Sequence, residues 1–125
     1  MKDVRIGITG THCSGKTTLT NNLCVRLGLP HITEVAAAFT EAQRQHYMAQ
    51  YKILDRQISR EKESYSFVSD RTVFDNMAYL SFYFGKHATE DKIPFSHLKA
   101  IMDLALHRIT EHLIIHPYSL IAFVD

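Results

Sequence analysis

The eight residues Gly10-Thr11-His12-Cys13-Ser14-Gly15-Lys16-Thr17 fit the pattern G-x-x-x-x-G-K-[ST], and no other feature of the chain limits its fold so tightly. The pattern has meaning in one context: a strand must deliver the backbone into the loop and a helix must carry it away. Both flanks are present. Residues 4–9 (VRIGIT) are apolar and β-branched, short enough for a buried strand. From Lys16 the periodicity changes: Leu19, Leu23 and Leu27 recur every four residues along one helical face, with Asn21, Asn22 and Arg26 elsewhere. Gly28 closes that helix and Pro30 prevents its resumption. At average residue frequencies, a chance match in a chain of this length has a probability well under ~1%.

The residue types at these positions have a physical reason. Two glycines let the backbone curl so that successive N–H groups point inward and form an anion nest. The following helix adds its positive end. Lys16 carries a compact charge to the outer phosphates, and Thr17 offers a hydroxyl to Mg²⁺. A dinucleotide-binding reading fails, because no G-x-G-x-x-G is present.

The rest of the chain alternates. Residues 31–35 (HITEV) read as a short strand or a strand end running into a helix. Residues 36–64 hold no Gly or Pro and read as helix in two pieces, with Tyr47, Tyr51, Leu54 and Ile58 as the packing stripe. Residues 65–69 (YSFVS) form a strand that ends at Asp70. Thr72 caps a helix over residues 73–84 that Gly85 stops, and residues 85–94 are a polar loop. Leu98, Ile101, Met102, Ala105, Ile109 and Leu113 share one face of a helix over residues 95–113, broken by Pro117. Residues 118–124 (YSLIAFV) are a last strand. This order implies an α/β fold: one domain over residues 1–125, with a mainly parallel sheet covered by helices on both faces.

A Mg²⁺ site beside such a loop needs a second acid at the end of a neighbouring strand. Asp70 and Asp125 both qualify. Asp70 is favoured, because Arg71 follows at once and its guanidinium suits phosphate; the plain alternative for either is a loop carboxylate that caps the next turn.

Composition excludes several classes. The net charge is +1, from 14 Lys+Arg against 13 Asp+Glu. That gives no field to capture nucleic acid or an anionic membrane surface. No apolar run approaches the ~18 residues of a membrane span, and two cysteines, Cys13 and Cys24, make no disulfide framework. The expectation is a reduced, cytoplasmic, soluble protein without nucleic-acid or membrane partners. Among the other residues, Asp75 reads equally as a substrate contact or a first-turn helix charge. Tyr79, Phe82 and Phe84 have the spacing of core aromatics more than of a stacking site. His112 and His116 lack the partners of a zinc set.

With these residues in place, the stretch from Ile8 to Leu19 resembles the loop of the P-loop nucleoside and nucleotide kinases, nearest to NadR-like ATPase/kinase domains. In that family a glutamate follows the second strand and an Asp-Arg pair follows the third. Glu34 and Asp70-Arg71, with Asp75 and Tyr79 beyond, match in order and spacing. The resemblance implies a three-layer P-loop NTPase fold with strand order 2-3-1-4. It implies ATP and Mg²⁺ as cofactors and a small-molecule phosphoryl acceptor: a nucleoside, a nucleotide or a ribosylnicotinamide-like compound. Gly10, Thr11, His12, Cys13, Ser14, Gly15, Lys16, Thr17 and Thr18 would hold the triphosphate. Lys16 would stabilise the transferring group, and Thr17 with Asp70 would hold the metal. Arg71 would contact phosphate near the acceptor, and Glu34 would take a proton from the acceptor hydroxyl. The family's fifth strand and arginine-rich lid have no counterpart before Asp125, so the expectation is a chain truncated after its fourth strand. That strand would then be an apolar sheet edge, open to self-association. The rival reading is a non-catalytic nucleotide-binding switch or an inactive kinase. The guanine-reading N-K-x-D sequence that would favour a GTPase switch is not in these residues.

Overall fold

A computed structural model describes residues 3–11 and 15–125. Strand β1 (Arg5–Gly10) leads to helix α1 (Lys16–Leu27), then to a two-residue strand β2 (His31–Ile32) and a 3-10 turn (Val35–Ala38). Helices α2 (Glu41–Gln45) and α3 (Ala49–Glu63), strand β3 (Phe67–Asp70), helices α4 (Val73–Thr89) and α5 (Phe95–Ile115), and strand β4 (Leu120–Val124) complete the chain. The four strands form one parallel sheet in the order β2-β3-β1-β4. This is the α/β architecture and strand order expected from the sequence.

Alternation along the strands builds the layers. Ile6, Ile8 and Val68 point to one face, where Leu19, Leu23 and Cys24 of α1 cover them. Ser69 faces the other way and meets Gln57 of α3. On that side Leu54 and Ile58 of α3, Val73 and Leu80 of α4, and Ile101, Ala105 and Ile109 of α5 pack into the main core. The α5 face is the one its periodicity gives. In α1 the stripe ends early, because Leu27 is half exposed.

Three local expectations change. The stretch read as two helical pieces is three. Thr40 Oγ1 accepts from Gln43 N–H (3.1 Å) while Gln43 Oε1 accepts from Thr40 N–H (2.8 Å), a capping box that restarts the helix. Residues 31–35 run, as one of the two readings expected, from a short strand into a helical turn, here a 3-10 turn. Gly85 does not stop α4, which continues to Thr89. An exposed glycine costs a helix about 1 kcal/mol without breaking it, and the next turn compensates by burying His87 against Asp91 (Nδ1 to Oδ2, 2.5 Å). The chain turns only at Lys92, with φ 55°, before Pro94. Finally, β4 is the apolar sheet edge that the resemblance implied, but Leu120, Ile121 and Phe123 are exposed, so the cover expected on both faces of the sheet does not extend to it.

A buried polar cluster ties the far end of the core together. The Glu61 carboxylate, fully buried, accepts from Tyr118 OH (2.6 Å) and Gln57 Nε2 (2.7 Å) and meets His112 Nε2 (2.9 Å). Burial and the Glu61 charge push the Tyr118 phenol far up, so it stays a donor. Arg5 holds the end of α3 through the Glu61 and Ser64 carbonyls (3.0 and 2.6 Å).

Candidate active site

The parallel pairing of β1 with β3 sets Ile8 opposite Asp70, so the third strand ends beside the start of the loop. Across that gap Lys16, the first residue of α1, donates from Nζ to Asp70 Oδ1. Thr17 Oγ1 donates to Asp70 Oδ2 at 3.2 Å. Lys16 and Asp70 are both buried. The ammonium, the hydroxyl and the carboxylate thus meet at one point, at the N-terminus of α1 and the carboxyl ends of two strands. Ligands bind at this edge of open α/β sheets. Asp125, the other candidate acid, follows β4 and is exposed.

Two glycines of the loop are required by the backbone. Gly10 has φ 149°, and a Cβ there would stand 2.0 Å from the Val124 carbonyl oxygen. Gly15 has φ 85°, and no described residue lies within 4 Å of where its Cβ would be, so the backbone conformation itself favours glycine. Thr11 and Thr18 are exposed on either side. His12, Cys13 and Ser14, the middle of the expected cradle, lie outside the described residues.

Arg71 is the hinge of the site. Its φ is 94°, in the left-handed region that an arginine rarely adopts. The turn brings its buried guanidinium back over the loop. Nη1 donates to the Gly10 carbonyl (3.2 Å), and Nε reaches Glu34 Oε1 (3.4 Å). Asp75 Oδ1 lies 3.9 Å from Nη1, and the Tyr79 ring lies under the guanidinium at 5.7 Å. Asp75 itself is spoken for. It caps α4 through Thr72 N–H and Oγ1 (2.7 and 2.9 Å) and accepts from Thr9 Oγ1 (2.5 Å). Its place is therefore that of a first-turn helix carboxylate.

Glu34 and Arg71 open onto a cavity of about 190 Å³ between the 3-10 turn, α3 and α4. Gln57, Asn76, Tyr79 and Tyr83 line its walls, with Arg44 also contributing. Glu34 is about one-third exposed, as a group meeting a ligand needs to be. Of the three aromatics singled out on α4, only Tyr79 reaches this cavity. Phe84 packs edge-on against Phe95 (5.4 Å), and Phe82 is 74% exposed, so it is neither core nor site.

The sequence reading missed Gln57 and Asn76. A signal existed for each. Gln57 lies between Leu54, Ile58 and Glu61 on the buried face of α3, and Asn76 lies between Val73 and Leu80 on the buried face of α4. A polar residue on an apolar stripe needs a partner inside.

The donor set suits Mg²⁺. That ion prefers hard oxygens, few of them from protein, and completes its shell with phosphate and water. The Thr17 hydroxyl and the Asp70 carboxylate are two such oxygens, side by side at a helix N-terminus. Among the described residues there is no group of three His, Cys, Asp or Glu that could enclose a metal by protein alone.

A family model described as AAA domain matches residues 5–117. The chain is also similar to a solved structure, the 1.7 Å crystal structure of shikimate kinase from Bacteroides thetaiotaomicron. The two share 17% identity with a TM-score of 0.48, over 98% of this chain and 86% of that one. No curated protein sequence matches.

Proposed function

The chain belongs to the AAA-domain family, and we propose that it binds ATP with Mg²⁺ and transfers the terminal phosphoryl group to a hydroxyl of a small molecule. The acceptor class we favour is a nucleoside, a nucleotide or a ribosylnicotinamide-like compound. The observation that carries this reading is the meeting of Lys16, Thr17 and Asp70, followed at once by Arg71, which bonds the Gly10 carbonyl and lines a cavity together with Glu34.

The buried Lys16–Asp70 pair reads as the resting arrangement of two groups that take new partners together. A triphosphate arriving at the N-terminus of α1 offers Lys16 another anion, and Asp70 is released beside the Thr17 hydroxyl. Bound Mg²⁺ would supply charge neutralisation between the outer phosphates. Arg71, held at the Gly10 carbonyl, stands where charge on the transferring group borders the acceptor cavity. Glu34, a partly exposed carboxylate on the same cavity, would accept the hydroxyl proton as the acceptor oxygen attacks phosphorus. Phosphoryl transfer needs little beyond positioning and electrostatics, so this short list of groups suffices.

The test is a screen of nucleosides and ribosides with ATP and Mg²⁺, scored for phosphorylated product by mass. The expected result is ATP-dependent product from at least one acceptor, lost in Lys16→Ala. Tight ATP binding with no product across the panel would favour the non-catalytic reading instead.

A further inference from the structure

The proposed chemistry does not use Glu61, yet this fully buried carboxylate is tied to both ends of the turn that carries the site. Glu61 Oε2 accepts from Gln57 Nε2 (2.7 Å) and from the Tyr118 hydroxyl (2.6 Å), while Oε1 meets His112 Nε2 (2.9 Å). Gln57 and Tyr118 each make one further bond. Gln57 Nε2 also donates to Ser69 Oγ (2.9 Å), and the Tyr118 oxygen accepts from Val73 N–H (2.9 Å). Ser69 and Val73 are the residues on either side of Asp70-Arg71-Thr72. That segment is the one that needs holding. Arg71 has φ 94°, a conformation that costs an arginine energy and persists only where its surroundings over-determine it. Inside the turn, Arg71 N–H donates to the Ile8 carbonyl (2.9 Å) and Asp75 caps Thr72. Strand alternation does the rest: with Ser69 held toward α3, Asp70 points to the other face, where Lys16 and Thr17 meet it.

We infer that Glu61 is a positioning residue: through Gln57 and Tyr118 it clamps the Asp70–Thr72 turn at both ends, so that Asp70 faces Lys16 and Thr17 and Arg71 keeps its left-handed backbone. This rests on the phosphotransferase reading only for what Asp70 and Arg71 are positioned to do; the clamp itself is a property of the turn. A core that needed stability alone could be filled here by apolar groups, which carry no desolvation cost. A carboxylate does what apolar packing does not. It gathers donors from α3, from α5 and from the segment before β4 onto one point, and so couples three elements to one turn. The reach is short: two side chains, Gln57 and Ser69, separate Glu61 from the residue before Asp70's own backbone, and one, Tyr118, separates it from Val73.

Tyr118→Phe and Ser69→Ala each remove one anchor; the first keeps the ring that lies edge-on to Phe67 at 6.4 Å. Ile101→Val, in the same core but away from the turn, is the control for lost stability. The first readout is amide hydrogen exchange at Arg71, whose own acceptor, the Ile8 carbonyl, neither variant touches. In both variants exchange at Arg71 should speed up about tenfold more than exchange at Leu54 in the middle of α3, and in the control the two should move together. The second readout is calorimetric titration with ATP, with and without Mg²⁺, at a temperature where every variant is folded. Each variant should lose about threefold or more of the affinity that Mg²⁺ adds, with the Mg²⁺-free affinity unchanged, and should lose nothing further in an Asp70→Asn background. If Tyr118→Phe fails to fold, Ser69→Ala decides. Arg71 exchange that keeps step with Leu54, a Mg²⁺ effect as large as in wild type, or an equal loss in the Asp70→Asn background would overturn the inference. A wild-type chain that binds no ATP would count against the proposed function instead, and Arg71 exchange alone would then decide whether the clamp stands.

Discussion

Lys16 and Asp70, 54 residues apart in the chain, form a buried ion pair in which the Lys16 ammonium donates to Asp70 Oδ1 while Thr17 donates to Oδ2. Asp70 is thereby joined to both loop groups expected to meet phosphate and metal. Asp70→Asn should reduce the Mg²⁺ dependence of ATP binding, whereas Asp125→Asn, at the exposed end of β4, should not. Breaking a buried pair from one side costs about 3–5 kcal/mol, less here because asparagine still accepts a hydrogen bond. Asp70→Asn should therefore also lower the melting temperature. Titrations at several Mg²⁺ concentrations check the first point; a Mg²⁺ dependence altered by Asp125→Asn alone would move the metal site to the fourth strand.

Under the proposed function, Glu34 acts on the acceptor and not on the triphosphate. Glu34→Gln keeps an oxygen for Arg71 to reach but removes the base. ATP affinity should stay nearly intact while the transfer rate falls about 10²–10⁴-fold. Equal losses in both would show that the carboxylate serves structure, by holding Arg71 in its left-handed turn.

The loop and its flanks were legible because their requirements are local. Gly10, Gly15, Lys16 and Thr17 sit at fixed spacing between a strand and a helix that their own periodicities define. Asp70-Arg71 was legible because a short apolar strand ends on a charged pair. The break at Thr40 was within reach, since Thr40 and Gln43 have capping-box spacing, but no Gly or Pro marks it. Gln57, Asn76 and the Glu61 cluster were not legible as a site. The partners of Glu61, His112 and Tyr118, lie 51 and 57 residues away, and periodicity says that a face is buried without saying what it meets. The apolar run of β4 was ambiguous for a related reason: apolar residues on both faces do not say whether cover is present, and only the resemblance implied an edge.

That exposed edge has a consequence. Leu120, Ile121 and Phe123 are 56%, 42% and 67% exposed on a strand with one paired neighbour among the described residues, and the strand carries no charge or proline to discourage pairing. The 125-residue chain should self-associate with rising concentration, and Phe123→Lys should return it toward monomer. Sedimentation velocity over a concentration series reads this directly. A wild-type chain that stays monomeric throughout would show that the edge is protected.

His116, at the end of α5, is held below its usual 6.5 by burial first and then by its neighbours Arg5, His112 and Lys62, against a smaller opposing pull from Glu61. The unfolded chain therefore binds this proton more readily than the folded one. The contribution of the neutral ring is fully present above 6.5 and is lost as pH falls below it. The melting temperature of His116→Gln should fall less steeply than that of wild type between about pH 7.5 and about pH 5. Parallel curves for the two proteins would remove His116 from the acid response.

The account turns on whether the loop holds a triphosphate. Isothermal titration of wild type and Lys16→Ala with ATP in Mg²⁺ measures that with the fewest assumptions. Under the proposed function Lys16 gives the triphosphate a charge-assisted contact worth about 1.5–3 kcal/mol, so its loss should weaken binding by about one to two orders of magnitude. A folded Lys16→Ala protein that binds ATP as tightly as wild type, or a wild-type protein that does not bind ATP, would contradict the assignment of residues 10–18 as the phosphate site.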